Sequence, residues 1–299
     1  LETAIFKEIT AALLPDDALT LVKFLDQNKF PKLHGYYEVL YDEDKASIDT
    51  ELSKIVMYFS AEDNEADIRL EIILSVLGIE SVVREEKNIT RNEYLENYKK
   101  HYTSFLISKH IMIVPSWEKQ QFENQKNSSQ LFLYLDPGLA FGTGLHPTTR
   151  LCMEYLDENP PKKLNVIDAG CGSGILSFGA LLLGAEEVLA FDVDGNAVLA
   201  VENNFELNAF NRNRMTLMRG GFDLNEFLEY PADILLGNLT ASVILSNKKR
   251  IDEGKYSQMM LSGILEEKKE EVISAFQTNW ECSFQNHLDG WSLIVFNRK

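Results

Sequence analysis

The chain has 299 residues, 45% of them hydrophobic and 25% charged, enough for one large or two ordinary domains with a full core. That balance excludes disorder, collagen-like repeats and disulfide miniproteins, and the longest mainly apolar run, Ile175 to Ala185, falls well short of the roughly 20 residues that span a bilayer. With 46 acidic and 29 basic residues the net charge is −17; such a field repels phosphate backbones and anionic membrane, so neither nucleic acid nor membrane is expected as a direct partner, and a basic protein is.

The acidic excess is concentrated early: Leu1 to Asn88 carries 19 acidic and 9 basic residues, net −10. Cys152, Cys171 and Cys282 are too far apart for a CxxC pair, which fits free thiols in a reducing compartment. The opening Leu-Glu-Thr-Ala-Ile-Phe-Lys-Glu has no basic start followed by an apolar stretch, so a cytoplasmic location is the expectation.

In chain order, Thr3 to Leu14 reads as a strand. Pro15-Asp16-Asp17 opens a helix whose apolar face is marked by Leu19, Val22, Phe24 and Leu25, with proline and acids in its first turn. His34 to Tyr41 and Ile55 to Phe59 are aromatic and β-branched strands. Asn64 to Leu77 is a second helix with Ile68, Ile72, Ile73 and Val76 on one side, closed by Gly78, and Ile79 to Arg84 is a fourth strand. Strand, helix, strand, strand, helix, strand is the order of a ferredoxin-like α+β domain. Thr90 to His101 reads as a short linking helix. These patterns predict a ferredoxin-like domain over 1–87, a linker helix over 88–103 and a larger α/β domain over 104–299.

In the larger domain, Ile107 to Val114 is a strand, Glu118 to Gln130 a polar surface loop, and Leu131 to Leu135 a further strand. Strands and helices then alternate: Val166 to Asp168, Leu176 to Leu183, Val188 to Phe191, Ala197 to Asn208, Met215 to Leu217, Ile234 to Leu236, and a helix around Glu266 to Thr278. Alternation of this kind predicts a doubly wound, Rossmann-like sheet. Trp280 to Gln285 and Ser292 to Asn297, joined through Asp289-Gly290, should add an antiparallel hairpin at one edge, making the sheet mixed.

The chemistry is concentrated in three stretches. Val166-Ile-Asp-Ala-Gly-Cys-Gly-Ser-Gly-Ile-Leu-Ser is a strand running into a glycine turn and then a helix, and Gly170, Gly172 and Gly174 let backbone approach a ligand at the sheet's C-terminal edge. A dinucleotide fingerprint needs G-x-G-x-x-G; here Gly174 comes one residue early, which disfavours a nicotinamide enzyme. The next strand ends at Asp192, placed to accept hydrogen bonds from two ribose hydroxyls, while Asp194 suits a helix N-cap before Asn196. The third stretch, Asp136-Pro-Gly-Leu-Ala-Phe-Gly-Thr-Gly-Leu-His-Pro-Thr-Thr149, is a loop too rich in turn residues for a plain connection.

The first of these stretches resembles motif I of class I S-adenosylmethionine-dependent methyltransferases. The third resembles, almost letter for letter, the signature of the ribosomal protein L11 methyltransferases, the PrmA family. Leu261-Ser-Gly-Ile-Leu-Glu and Val114-Pro-Ser-Trp117 are similar to further segments of that family. The resemblance implies a class I methyltransferase with a mixed seven-stranded sheet, S-adenosyl-L-methionine as cofactor and no metal. It also implies, as substrate, a basic ribosomal protein, L11 of the large subunit, methylated on lysine side chains and the N-terminal amine. A monomer is expected.

Residue by residue, the resemblance implies cofactor contacts at Thr149, Gly170, Asp192 and Asn238, with Gly172 in the same turn and Phe141, Gly142 and Thr143 in the signature loop. Thr149 would otherwise cap a helix beginning at Leu151, and His146 before Pro147 reads as a turn residue rather than a base. A side-chain amide at the strand end, Asn238, can accept a hydrogen bond from an attacking nitrogen and orient its lone pair. The chain departs from the family in two places. Leu239-Thr240 puts a hydroxyl where an apolar residue is usual, and Asn92, Tyr94 and Tyr98 stand where tryptophans are common. A methyltransferase of another target and a non-catalytic S-adenosylmethionine-binding adaptor are the competing readings.

Overall fold

The structure, a computed structural model, describes residues 6–27, 33–39, 52–79, 83–90, 93, 96, 99, 102–123, 130–136 and 142–299. The chain divides into two compact units, Leu1–Tyr102 and Thr103–Lys299.

The first unit runs β1 (Phe6–Leu13), α1 (Pro15–Gln27), β2 (Leu33–Val39), β3 (Ser53–Ser60), α2 (Ala66–Leu77) and β4 (Val83–Ile89). Its sheet has the order β2-β3-β1-β4, antiparallel throughout. Ile9, Ala11 and Leu13 alternate along β1 onto one face and pack with Ile55, Met57 and Phe59 of β3 under the two helices. α2 buries another stripe than its sequence suggests, and α1 departs from its expected face at Leu19. α1 buries Ala18, Leu21 and Leu25 and leaves Leu19 exposed; α2 buries Ala66, Leu70 and Leu74 and leaves Ile68, Ile72 and Val76 outside. Both stripes of α2 are apolar at helical spacing. With the Leu70 and Leu74 face inward, Asp67 reaches Lys7 on β1 and Glu71 reaches Arg84 on β4.

The fourth strand also starts later than Ile79. Gly78 and Ile79 instead close α2, their N–H groups bonding the carbonyls of Ser75 and Leu74, and Ile79 tucks into the core as the apolar residue after such a cap does. β4 runs on past Lys87, which ion-pairs with Glu8 across the sheet, to Ile89. In the linker, Thr90 and Glu93 exchange backbone N–H bonds as a capping box, and Glu93, Glu96 and Lys99 are helical; the other residues from 91 to 101 lie outside the described ones.

The second unit begins with a three-stranded sheet of β5 (Phe105–Leu106), β6 (Ile111–Pro115) and β7 (Leu131–Leu135), so the strand expected over Ile107 to Val114 is the second arm of a hairpin. Part of the tract expected as loop forms a short helix, α3 (Lys119–Phe122). There follow α4 (Pro147–Glu158), β8 (Asn165–Ala169), α5 (Ile175–Leu182), β9 (Glu187–Asp192), α6 (Gly195–Leu207), β10 (Met215–Arg219), α7 (Asn225–Glu229) and β11 (Ile234–Asn238). The rest is α8 (Ala241–Ser246), α9 (Lys248–Glu253), β12 (Gln258–Leu265), α10 (Lys269–Phe276), β13 (Trp280–Leu288) and β14 (Trp291–Arg298).

These build the expected mixed seven-stranded sheet, β10-β9-β8-β11-β12-β14-β13. The first five strands are parallel and β14 is antiparallel to both neighbours. Asp289 and Gly290 turn the hairpin with φ of 50° and 80°, as a two-residue turn with both residues left-handed requires. Central strands β8 and β11 are near-continuously apolar and buried on both faces, and the core behind them joins Phe191, Phe227, Tyr256, Phe276 and Trp280. Among the described residues no helix is long and apolar enough to cross a membrane.

Candidate functional site

The strand order places the site. β8 lies between β9 and β11, and the chain leaves it in opposite directions, so a crevice opens beyond the strand ends where the connections diverge. Ala169 pairs with Phe191 on one side and Gly237 on the other. Gly170, Asp192 and Asn238 therefore stand at the same level, one residue beyond that row, on three adjacent strands.

The turn after β8 takes φ of 71°, 54° and 84° at Gly170, Gly172 and Gly174, values that side chains resist. It is bound to its neighbour at both ends: Gly170 and Cys171 donate to the Phe191 carbonyl, and the Gly172 N–H donates to Asp192 Oδ2 at 3.0 Å. Asp192 Oδ1 accepts from Asp194 N at 2.9 Å. Each carboxylate oxygen keeps a further lone pair, and the residue is only partly buried, so Asp192 is oriented yet still able to accept bonds from a ligand. Asp194 caps α6 by accepting from Asn196 N at 2.9 Å.

On the other side, Asn238 Nδ2 lies 3.3 Å from Thr149 Oγ1. Thr149 is buried in the first turn of α4, not at its cap. That cap is His146, whose Nδ1 accepts from Thr148 N at 3.3 Å and lies 2.8 Å from Thr148 Oγ1; its ring stands edge-on to Trp291 at 5.1 Å. Pro147 occupies the first helical position, where a missing N–H costs nothing. Committing Nδ2 to Thr149 leaves the carbonyl Oδ1 of Asn238 as the group for an incoming N–H.

Of the signature loop, Gly142 and Thr143 are described and Phe141 lies outside the described residues. The Gly142 carbonyl accepts from Ser173 Oγ at 2.6 Å, which joins this loop to the glycine turn. Thr143 Oγ1 accepts from Leu145 N at 3.5 Å. Gly142, Gly170, Gly172, Asp192, Asn238 and Thr149 are thus brought to one edge of one sheet through hydrogen bonds that cross between elements.

Several residues of the site escape the sequence patterns. Asn204 and Asn208 are buried. Asn204 bonds Asp136 N at 2.7 Å and Ser173 O at 3.0 Å; Asn208 bonds both backbone groups of Tyr134 at 2.9 and 2.7 Å. Their signal is polarity on the apolar stripe Ala197, Val201, Phe205. Asp168, by contrast, stands in the glycine-turn stretch the sequence displays; it is buried and accepts from Ser177 N at 3.0 Å and Ser177 Oγ at 2.6 Å. Burial pushes its carboxyl up to about 6, against the pull of those two bonds. Exposed Val193 and Asp223 flank Gly221, where a Cβ would meet Asp223 Oδ1 at 3.2 Å and Val193 Cγ1 at 3.4 Å; they stand after β9 and β10 on the Asp192 side. Burial pushes the thiols of Cys171 and Cys152 upward, Cys152 to about 12, so neither is a nucleophile.

The glycine turn, the oriented Asp192 carboxylate, and the exposed Val193 and Asp223 side chains beside Gly221 thus stand together beyond the strand ends. The chain's family model match is to the ribosomal protein L11 methyltransferases, over residues 4–299. A protein of that description from Leptospira interrogans is 32% identical over 98% of this chain and 99% of its own length. Another from Pseudomonas savastanoi is 35% identical over 79% of each. The crystal structure of a ribosomal protein L11 methylase from Lactobacillus delbrueckii superposes with a TM-score of 0.55 at 29% identity, covering 66% of this chain and all of that one.

Proposed function

The chain belongs to the ribosomal protein L11 methyltransferase family, and on that premise we propose that it transfers methyl groups from S-adenosylmethionine to amines of the L11 protein. The acceptors are lysine ε-amino groups and the N-terminal α-amino group. The observation that carries the reading is the alignment of Gly170, Asp192 and Asn238 at one level of three adjacent parallel strands, with Thr149 bonded to Asn238.

In this reading Asp192 accepts from the ribose hydroxyls with the lone pairs left by Gly172 and Asp194. Val193 offers an apolar face to the adenine and Asp223 an acceptor for its amino group. Gly142 and Thr143 line the methionine side. When bound, the sulfonium supplies an already activated methyl group. The protein then has to hold a neutral amine in line behind that methyl and to shed water around it. Asn238 Oδ1 accepts an N–H of the amine and so points its lone pair at the methyl. A lysine near pKa 10.4 must first lose its proton, which a site disfavouring positive charge promotes; bulk water takes it. We read the first unit as ferredoxin-like from its element and strand order, and its acidity suits a grip on a basic protein.

Incubation with S-adenosylmethionine and unmodified L11, followed by intact-mass spectrometry, tests the proposal. Mass increments in whole methyl units are expected. Binding of the cofactor without any increment would overturn the acceptor assignment.

A further inference from the structure

The loop bearing Asp223 is held from two directions, and one of them comes from the acceptor side of the site. On the near side, Gly220 N donates to the Asp192 carbonyl at 2.9 Å, and Phe222 is wedged edge-on against Phe191 and Phe227, with ring centroids 5.6 and 5.1 Å away. On the far side stands Arg250 of α9. Its Nε donates to the Phe222 carbonyl at 2.8 Å and its Nη2 to the Leu224 carbonyl at 3.0 Å, while Nη1 lies 3.8 Å from Glu253 in its own helix. One guanidinium thus grips the carbonyls on either side of Asp223. Its planar fork fixes the distance between those two carbonyls in a way that a lysine cannot.

Arg250 belongs to the helix pair that follows Asn238 in the chain. α8 begins three residues after Asn238, and α9 follows it through Asn247 alone. Ile244 and Ile251 of this helix pair are fully buried, so the pair is anchored in the core rather than free to follow the loop. Arg250 connects that anchored pair to the 220–224 loop by two hydrogen bonds, with about one-third of its side chain exposed.

We propose that Arg250 is a positioning residue for cofactor recognition: it sets the conformation of residues 220–224 and thereby the placement of the Asp223 carboxylate against the adenine amino group. The inference rests on the cofactor reading above. Arg250 itself touches neither cofactor nor acceptor; it acts through Asp223.

The test is calorimetric titration of the full chain with S-adenosylhomocysteine and with its inosine analogue, which carries a carbonyl in place of the amino group. Arg250→Gln is expected to weaken S-adenosylhomocysteine binding on the order of tenfold, the scale of one lost charge-assisted hydrogen bond, and to narrow its preference over the inosine analogue. In turnover, KM for S-adenosylmethionine should rise more than kcat falls. Arg250→Lys, which can reach one carbonyl, should recover part of the affinity. Because Arg250 acts through Asp223, the double variant Arg250→Gln, Asp223→Asn should bind no more weakly than Asp223→Asn alone. Additive losses, or a preference for the amino form that Arg250→Gln leaves intact, would overturn the proposal. So would loss of affinity that Arg250→Lys does not restore in part, because that marks general disruption. If the unmodified protein bound neither nucleoside, the cofactor reading would fall; if it bound normally and Arg250→Gln did too, only the present inference would.

Discussion

The side-chain amide of Asn204 donates to the carbonyl of Ser173 at 3.0 Å in a fully buried setting. Through that bond, one helix residue controls the spacing of two loops. Asn204 Oδ1 accepts from Asp136 N at 2.7 Å, where the signature loop begins. Ser173 Oγ donates to the Gly142 carbonyl at 2.6 Å, where the loop is described again. Asp136 and Gly142 are therefore both referred to the glycine turn, by one part-buried and one buried hydrogen bond, and buried polar groups left without partners are costly.

The first prediction follows. Asn204→Leu matches the side chain in size but removes the bonds to Asp136 N and Ser173 O, and leaving the buried Ser173 carbonyl without that donor costs about 1 to 3 kcal/mol. Thermal unfolding of the variant should start at a lower temperature, and affinity for S-adenosylhomocysteine should fall in those molecules that remain folded. A variant with normal affinity would show that the loop is placed by something other than Asn204.

Asp192 offers a second. If its carboxylate accepts from ribose hydroxyls, Asp192→Ala should weaken the nucleoside by about 10- to 100-fold, because bonds to a charged acceptor are worth about 1.5 to 3 kcal/mol. Asp192→Asn should lose less, since its amide oxygen still accepts. Removing the ribose 2′-hydroxyl from the ligand should cost Asp192→Ala almost nothing further, and a full additional loss in that titration would place the carboxylate elsewhere.

Such contacts divide into those a sequence displays and those it does not. The glycine turn, Asp192, the edge hairpin and the alternation of strands and helices are local patterns, and the sheet they build follows from them. The rotation of α2 is not local: both of its apolar stripes have helical spacing, and which one is buried depends on how the helix packs on distant strands, where Leu70 and Leu74 meet the core. Nor is the late start of β4: Gly78 marks the helix end in the sequence, but only the bond from Ile79 N to the Leu74 carbonyl shows that Ile79 belongs to the cap rather than to the strand. At the site, Asn204 and Arg250 act on loops 26 to 68 residues away, yet they and Asp223 belong to no motif; only the polarity of Asn204 on an apolar stripe marks it.

Asp168 makes a pH prediction. Its folded-state carboxyl is raised to about 6 from 3.8 by burial, so the folded protein holds that proton more tightly than the unfolded chain. Its contribution to stability is complete below about pH 4 and is lost as the pH rises through about 6, a difference on the order of 3 kcal/mol. Asp168→Asn keeps an oxygen for the Ser177 N–H and O–H and carries no charge. Denaturant titrations at pH 4.5 and 7.5 should show the variant gaining on the unmodified protein as the pH rises. An equal pH dependence in both would mean that Asp168 stays ionised at no cost.

Gly263 guards the acceptor side. Its φ is +80°, and a Cβ there would stand 2.6 Å from the Leu239 carbonyl oxygen, a backbone contact that cannot swing away. Gly263→Ala should push the Leu239 segment, and Asn238 with it, off the line of attack. Because Asp192 and the glycine turn are untouched, kcat should fall by more than cofactor affinity does. Equal losses in both would mean the displacement spreads to the cofactor side.

Thr240 bears on how readily an amine is used. Its Oγ1 lies 3.0 Å from Ser242 Oγ, and it occupies the N-cap position of α8 without a side-chain capping bond, so removing the hydroxyl leaves the helix start intact. If the Thr240 and Ser242 hydroxyls face the acceptor, they make that wall of the site more hospitable to a charged, hydrated ammonium than an apolar wall would be. Thr240→Val should therefore favour the neutral amine and move the rise of methylation rate with pH to lower pH. At a fixed pH of 7.5 the product should carry more methyl groups per molecule, read as a shift in its intact-mass distribution. If the pH profile and the distribution both stay as they are, Thr240 does not face the acceptor, and its hydroxyl serves only the turn into α8.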